Sequence, residues 1–200
     1  MEKPRRYPSY DVWDQHTEWD AHTRKVVGAR RMPAIANQFF TKPESLLLQT
    51  VVGVLVNDHR LEVLTFVVEH LDNTTASNIG ESQRKVGVPP KKALYRSGLK
   101  GIDAESHAAY GTDFVALKLD QQEVVLQHVA NGSIQNQEAW KDFAPADFFK
   151  RLLHDTVSAY YSHPLVWSDI GYGGPAYPRG YVRVEKGLTD PWEAKANDES

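Results

Sequence analysis

Residues 41–71 constrain the fold more than any other stretch. Thr41 and Glu44 stand at capping-box spacing, in which each side chain satisfies the other's backbone N–H. Pro43 falls in the first turn, where its missing N–H costs little. Leu46, Leu47, Leu48, Val51, Val52, Val54 and Leu55 follow. They are apolar on most sides of a helix, so the pattern predicts a central helix with other elements packed around it. Asn57-Asp58 breaks this helix and caps the next. There Leu61, Leu64, Val68 and Leu71 form one stripe that Phe66 and Val67 widen.

The rest of the chain adds shorter signals. Residues 72–101 read as a loop, with Gly80, Gly87, Pro89-Pro90, Gly98 and Gly101. Asp103 is positioned to cap a short helix ending near Gly111. Asp120 and Glu123 suggest another start, with Val124, Val125, Leu126 and Val129 apolar and Asn131-Gly132 as its stop. Pro145 opens an amphipathic stretch in which Phe149, Leu152, Leu153, Thr156 and Tyr160 share a face, and Ser162-His163-Pro164 closes it.

The two ends differ from this middle. The first forty residues are polar, aromatic and basic, with a short helix expected across residues 14–30. The echo of Trp13-Asp14-Gln15-His16-Thr17 in Trp19-Asp20-Ala21-His22-Thr23 has an offset of six, which suits neither a strand nor a helical face. From Trp167 to Trp192 there are five Gly, three Pro, three Tyr and two Trp with little periodicity. Aromatics in such a tail must pack on the body of the domain or on a partner. The expectation is an all-α fold: a small irregular helical domain with an extended aromatic, Gly/Pro-rich C-terminal arm. It is one domain over residues 1–200, with an N-terminal arm to 40, a helical body over 41–163, and an arm and tail over 164–200.

Composition excludes several function classes. Leu, Ile, Val and Phe total 48 of 200 residues, above the roughly 20% below which charged chains stay disordered. With 23 Lys+Arg against 26 Asp+Glu, nothing supports nucleic-acid binding or a polybasic membrane contact. The absence of Cys removes disulfides, zinc-thiolate sites and thiolate-bound iron–sulfur clusters. The longest apolar run, Val51 to Val56, is six residues, so no direct membrane insertion is expected. Arg5-Arg6 looks like a twin arginine, but Tyr7-Pro8-Ser9-Tyr10-Asp11 follows where a signal peptide needs an apolar region. A cytoplasmic protein is the expectation, unless a partner carries it elsewhere.

Candidate chemistry is sparse. His16 with Asp20, or Glu18 with His22, would share a helix face, but no third metal ligand stands out. His154, Asp155 and Ser158 hold the residue types of a triad, yet sit together in one helix with no nucleophile elbow. Gly171-Tyr172-Gly173-Gly174-Pro175 is glycine-rich but lacks the strand before it and helix after it that a dinucleotide loop needs. A tight aromatic turn suits it better. The chain therefore shows no catalytic, metal or cofactor residue of its own. An alternative is an independent small enzyme or small-molecule binding module. Its pocket would lie under the aromatic arm, with His163 and Asp169 as acid/base candidates.

One segment is distinctive: Phe148-Phe149, then Tyr160-Tyr161-Ser162-His163-Pro164-Leu165-Val166-Trp167-Ser168-Asp169-Ile170-Gly171-Tyr172-Gly173-Gly174-Pro175-Ala176-Tyr177-Pro178-Arg179-Gly180-Tyr181. It resembles the C-terminal signature of the gluconate 2-dehydrogenase subunit 3 family. Tyr10-Asp11-Val12 and Trp19-Asp20-Ala21-His22-Thr23 resemble that family's N-terminal pattern. Gly98-Leu99 through Ile102-Asp103, with Gly111 and Phe114, resembles its middle, and Asp190-Pro191-Trp192-Glu193-Ala194 its end.

The resemblance implies a small accessory subunit. Its implied partner is a larger flavin-dependent oxidoreductase of the glucose-methanol-choline type, acting on a sugar, glycoside or sugar-acid hydroxyl. That partner would hold the FAD and the catalytic base. The small subunit would give assembly and stability and, in exported members, passage through the twin-arginine route. Trp, Tyr and Arg are frequent anchors of permanent interfaces. The expected partner-binding residues are Tyr160, Tyr161, His163, Trp167, Tyr172, Gly173, Gly174, Tyr177, Arg179 and Tyr181.

Overall fold

The computed structural model describes residues 6–79, 81, 84–183 and 185–195. Arg5 of the paired arginines and Gly80 of the expected loop lie outside the described residues. The elements are α1 (Ala21–Ala29), α2 (Lys42–Val56), α3 (Leu61–Ala76), α4 (Lys91–Tyr110), α5 (Leu119–Asn131), α6 (Pro145–Tyr160) and α7 (Pro164–Ile170). Short 3₁₀ turns lie at Val12–Glu18, Phe114–Ala116 and Gln137–Trp140. Among the described residues there is no strand, so the fold is all-α. No helix among them is long and apolar enough to cross a membrane.

α2 begins as its sequence predicts. Thr41 N–H donates to Glu44 Oε2 at 2.8 Å, and Glu44 N–H donates to Thr41 Oγ1 at 3.4 Å. The helix ends at Asn57, which takes the left-handed conformation at φ 47°. α2 touches α3, α4, α5 and α6, and Leu48, Val51 and Val52 are fully buried. The main core gathers around it, with Val63, Val67 and Leu71 from α3, Tyr95, Leu99 and Ile102 from α4, Val125 and Val129 from α5, and Phe148 and Leu152 from α6.

α4 corrects the loop expected over residues 72–101. α3 continues to Ala76, and α4 starts at Lys91 and runs twenty residues to Tyr110, taking in both Gly98 and Gly101. Asp103 lies inside it rather than capping a separate helix, though the end near Gly111 is where expected, at φ 73°. The two glycines are not breakers. A Cβ on Gly98 would stand 2.3 Å from the Phe148 ring, and one on Gly101 2.4 Å from the Trp140 ring. Two aromatic side chains lie flush against the helix backbone, and only Gly leaves them room.

Two buried carboxylates fasten loops to this body. Asp72, on α3, accepts from the backbone N–H groups of Gln38, Phe39 and Phe40 at 2.6, 2.9 and 2.8 Å. Glu105, on α4, accepts from Gln135 and Asn136 N–H at 2.8 and 2.9 Å. Each satisfies backbone donors of a segment that has no helix of its own to bond them.

The N-terminal segment also departs from expectation. Instead of one helix over 14–30 there is a 3₁₀ turn to Glu18, a break at Trp19-Asp20, and α1. Asp20 caps α1 by accepting from Thr23 N–H at 2.7 Å. The break separates His16 from Asp20 and Glu18 from His22, so neither pair shares a helix face. Among the described residues no group of three or more His, Asp or Glu is placed to hold a metal ion. His16 instead stacks on Trp13 at 5.1 Å.

Candidate partner-binding site

The body ends at α6, and the chain turns through Ser162 and His163 into α7. This turn is built around His163, which is fully buried. Its Nδ1 accepts from Leu165 N–H at 3.2 Å, capping α7, and its ring packs against Phe66 of α3 at 5.2 Å. Burial pushes the imidazole down to about 4. The Arg30 backbone beside the ring and the Asp58 carboxylate work against this, and the Arg60 and Arg30 charges reinforce it. The imidazole is therefore neutral near pH 7.

A polar cluster locks the same turn to the connection between α2 and α3. Tyr160 OH donates to Asp58 Oδ2 at 2.9 Å. Arg60 Nη2 reaches Asp58 Oδ2 at 2.6 Å and Asp169 Oδ2 at 2.7 Å. Burial opposes ionisation of Asp58, but hydrogen bonds from Arg60 and Tyr160 outweigh it and hold the carboxyl below its usual range. Burial also pushes the Tyr160 hydroxyl up. His163 and Asp169, paired on paper as acid and base, are thus occupied separately. One caps a helix in the interior and the other binds Arg60.

Trp167 falls on α7, where irregular structure was expected. It is 6% exposed, donates from Nε1 to the Tyr161 carbonyl at 2.6 Å, meets Tyr172 edge-on at 5.4 Å and lies under the Arg30 guanidinium at 5.5 Å. With Val12, Trp19 and Val27 it forms a second, smaller apolar cluster. This cluster joins the N-terminal segment to the end of the chain. Val12 N–H donates to Ser168 Oγ at 3.0 Å and Tyr10 OH to the Trp192 carbonyl at 2.8 Å. Arg30 Nη1 donates to the Ser162 carbonyl at 2.8 Å.

After α7 the described residues contain only turns and irregular backbone. Gly174 sits at φ 79°, and a Cβ there would stand 2.6 Å from the Trp19 ring. Gly173 needs no positive φ; its constraint is the Trp192 ring, 2.6 Å from where a Cβ would be. Arg179 donates to the Gly173 carbonyl and spreads over the Trp192 ring at 4.5 Å.

The ten residues singled out from sequence therefore divide. Tyr160, His163, Trp167, Gly173 and Gly174 are buried within this chain, and Arg179 is half-buried. Tyr161, Tyr172, Tyr177 and Tyr181 present their rings to solvent, at 51, 36, 67 and 66% exposure. Ile170 and Val182 are exposed beside them in sequence, at 50 and 64%. Exposed aromatic and aliphatic side chains concentrated in one segment are what an interface offers. Sequence reading missed the buried anchors Asp72, Glu105 and Ser168. For the first two no local signal was available, because the N–H groups they accept from lie at least thirty residues away.

Residues 42–174 match the family model described as Gluconate 2-dehydrogenase subunit 3. No curated protein and no solved structure matches the chain. The match spans 133 of 200 residues, from the first turn of α2 through the helical body, the His163 turn and α7 to Gly174. On that ground the chain belongs to the gluconate 2-dehydrogenase subunit 3 family, whose members are subunits of a dehydrogenase complex.

Proposed function

We propose that this chain is a non-catalytic small subunit that binds and stabilises a larger FAD-dependent oxidoreductase. The partner oxidises a hydroxyl of a sugar, glycoside or sugar acid and carries both the flavin and the base. The family match over residues 42–174 carries this reading. The geometry supports it through the exposed tyrosines of the C-terminal segment, an apolar surface outside the chain's own core. Packing of Gly173 against Trp192 and of Gly174 against Trp19, with Arg179 bonded to the Gly173 carbonyl, holds the backbone between those rings, so less ordering entropy is lost on association.

The test is expression of the tagged chain in its native host, followed by affinity purification through the tag. The expected result is a yellow hetero-oligomer with sugar dehydrogenase activity and a stoichiometric flavin spectrum, while the small chain alone is colourless and inactive. A flavin spectrum from the small chain alone, or no co-purification, contradicts the proposal.

A further inference from the structure

Between α3, the connection from α3 to α4, the start of α4 and α6, a cavity of about 600 Å³ opens to solvent. That is within the usual range for small-molecule sites. Its floor holds a lysine. The Lys91 side chain is 3% exposed. Its ammonium donates to Thr74 Oγ1 at 3.1 Å and lies 3.3 Å from Asp155 Oδ2. The same Asp155 oxygen accepts from Tyr95 OH at 3.0 Å and from Arg151 Nε at 2.8 Å. One carboxylate thus faces two cations. A lysine ammonium has three N–H donors, and two have acceptors among the described residues.

The charge balance continues outward. Five cationic side chains and three carboxylates line the cavity. Lys85 is matched by Asp147 at 3.0 Å and Arg84 by Glu81 at 3.5 Å, while Lys150 stands exposed at the rim. The excess is positive although the chain as a whole is at −3, so it is a local feature and not the spill of a basic surface. Val88, Pro89 and Leu94 supply an apolar wall. Burial, opposed by Asp155 and Glu81 and reinforced by the Arg151 charge, depresses the lysine's affinity for its proton, and burying an ion pair rarely stabilises a fold over apolar residues of the same size. The fold gains little from placing Lys91 there, whereas an anionic ligand would gain a desolvated cation.

We propose that this cavity binds a small organic anion, a carboxylate or phosphate on a compact apolar body, with Lys91 at the floor and Lys150 at the rim as its cationic contacts. The site is separate from the exposed tyrosines and stands or falls independently of the partner.

The test is titration of the full chain with benzoate and with phenyl phosphate at low ionic strength, using benzyl alcohol as the neutral control. Binding is read by calorimetry and by amide chemical shifts. At least one anion is expected to bind saturably and at least tenfold more tightly than benzyl alcohol. The ratio of the two anions identifies the preferred oxyanion. Lys91→Met is expected to weaken that binding at least tenfold while leaving the melting temperature unchanged or raised, because Asp155 keeps Arg151 and Tyr95. Anion binding no tighter than the alcohol overturns the proposal, as does Lys91→Met binding like wild type. If Lys91→Met does not fold, Lys150→Glu decides: a fivefold or larger loss is expected, and unchanged binding overturns the site.

Discussion

The helical body and the layer formed by the two ends of the chain are both well packed, but by different means. In the body, Leu48, Val52, Val67, Leu99 and Leu152 meet through helix faces, so the 3.6-residue period that shapes the helices also builds the core. In the terminal layer Val12, Trp19, Val27 and Trp167 cluster across more than 130 residues of sequence. Hydrogen bonds between side chains and backbone hold them there, as from Tyr10 OH to the Trp192 carbonyl and from Val12 N–H to Ser168 Oγ. A core of repeated helix faces is tolerant of change except where two backbones or rings approach closely. A layer of single long-range contacts opens when one large ring is removed.

The largest effect on stability is therefore expected where the body has no slack. Gly98→Val places atoms where the Phe148 ring lies, a Cβ having only 2.3 Å. Overpacking of this severity costs about 3 kcal/mol or more, against about 1 kcal/mol at most regained in helix propensity. Denaturant unfolding of the free chain should show the whole transition shifted. A variant as stable as wild type would mean that the body is looser than this packing implies.

Trp167→Ala comes next. Removing a buried Trp costs about 3–5 kcal/mol, but here the loss is expected locally. Limited proteolysis should cut within residues 12–30 or 172–195 while the helical circular dichroism of the body persists. If the body melts together with the terminal layer, the two regions form one cooperative unit and the contrast fails.

His163 lies on the seam between them and gives a smaller, pH-dependent effect. Its folded pKa of about 4 is below the ordinary 6.5, so the unfolded chain binds the proton more readily. Stability is then full above about pH 6.5 and falls as pH drops toward 4, by about 3 kcal/mol in all. Arg60, Arg30 and Asp58 face the ring, and their own charges are present in wild type and variant alike. His163→Asn keeps an acceptor for Leu165 N–H and removes this titration. Between pH 7.5 and 4.5 it should lose less stability than wild type, measured by urea midpoints. Equal losses would show that His163 does not titrate across that window.

These contrasts also explain what could be read from the sequence. The capping box at Thr41, the apolar run to Leu55 and the Gly132 stop are local signals, and the structure keeps each of them. α4 was misread because Gly98 and Gly101 look like punctuation. Their spacing of three places both on one helix face, against Phe148 and Trp140, and that partnership is set by residues 50 and 39 positions away. Asp72 and Glu105 carry no local signature either, since the N–H groups they satisfy lie at least thirty residues off. In the C-terminal segment the abundance of aromatics was evident. Which rings face inward is decided by contacts with Tyr10, Val12 and Trp19, so Trp167 and Tyr177 looked alike in sequence and differ in the fold.

The exposed tyrosines should matter least to the free chain and most to the complex. In the triple variant Tyr161→Ala, Tyr177→Ala and Tyr181→Ala, the melting temperature of the free subunit and its Kd for the flavin-dependent oxidoreductase should be measured on the same preparations. Interface aromatics of this kind cost about 2 kcal/mol or more when truncated, over tenfold in affinity. The account predicts a Kd raised more than tenfold with a nearly unchanged melting temperature. A lowered melting temperature with unchanged affinity would contradict it.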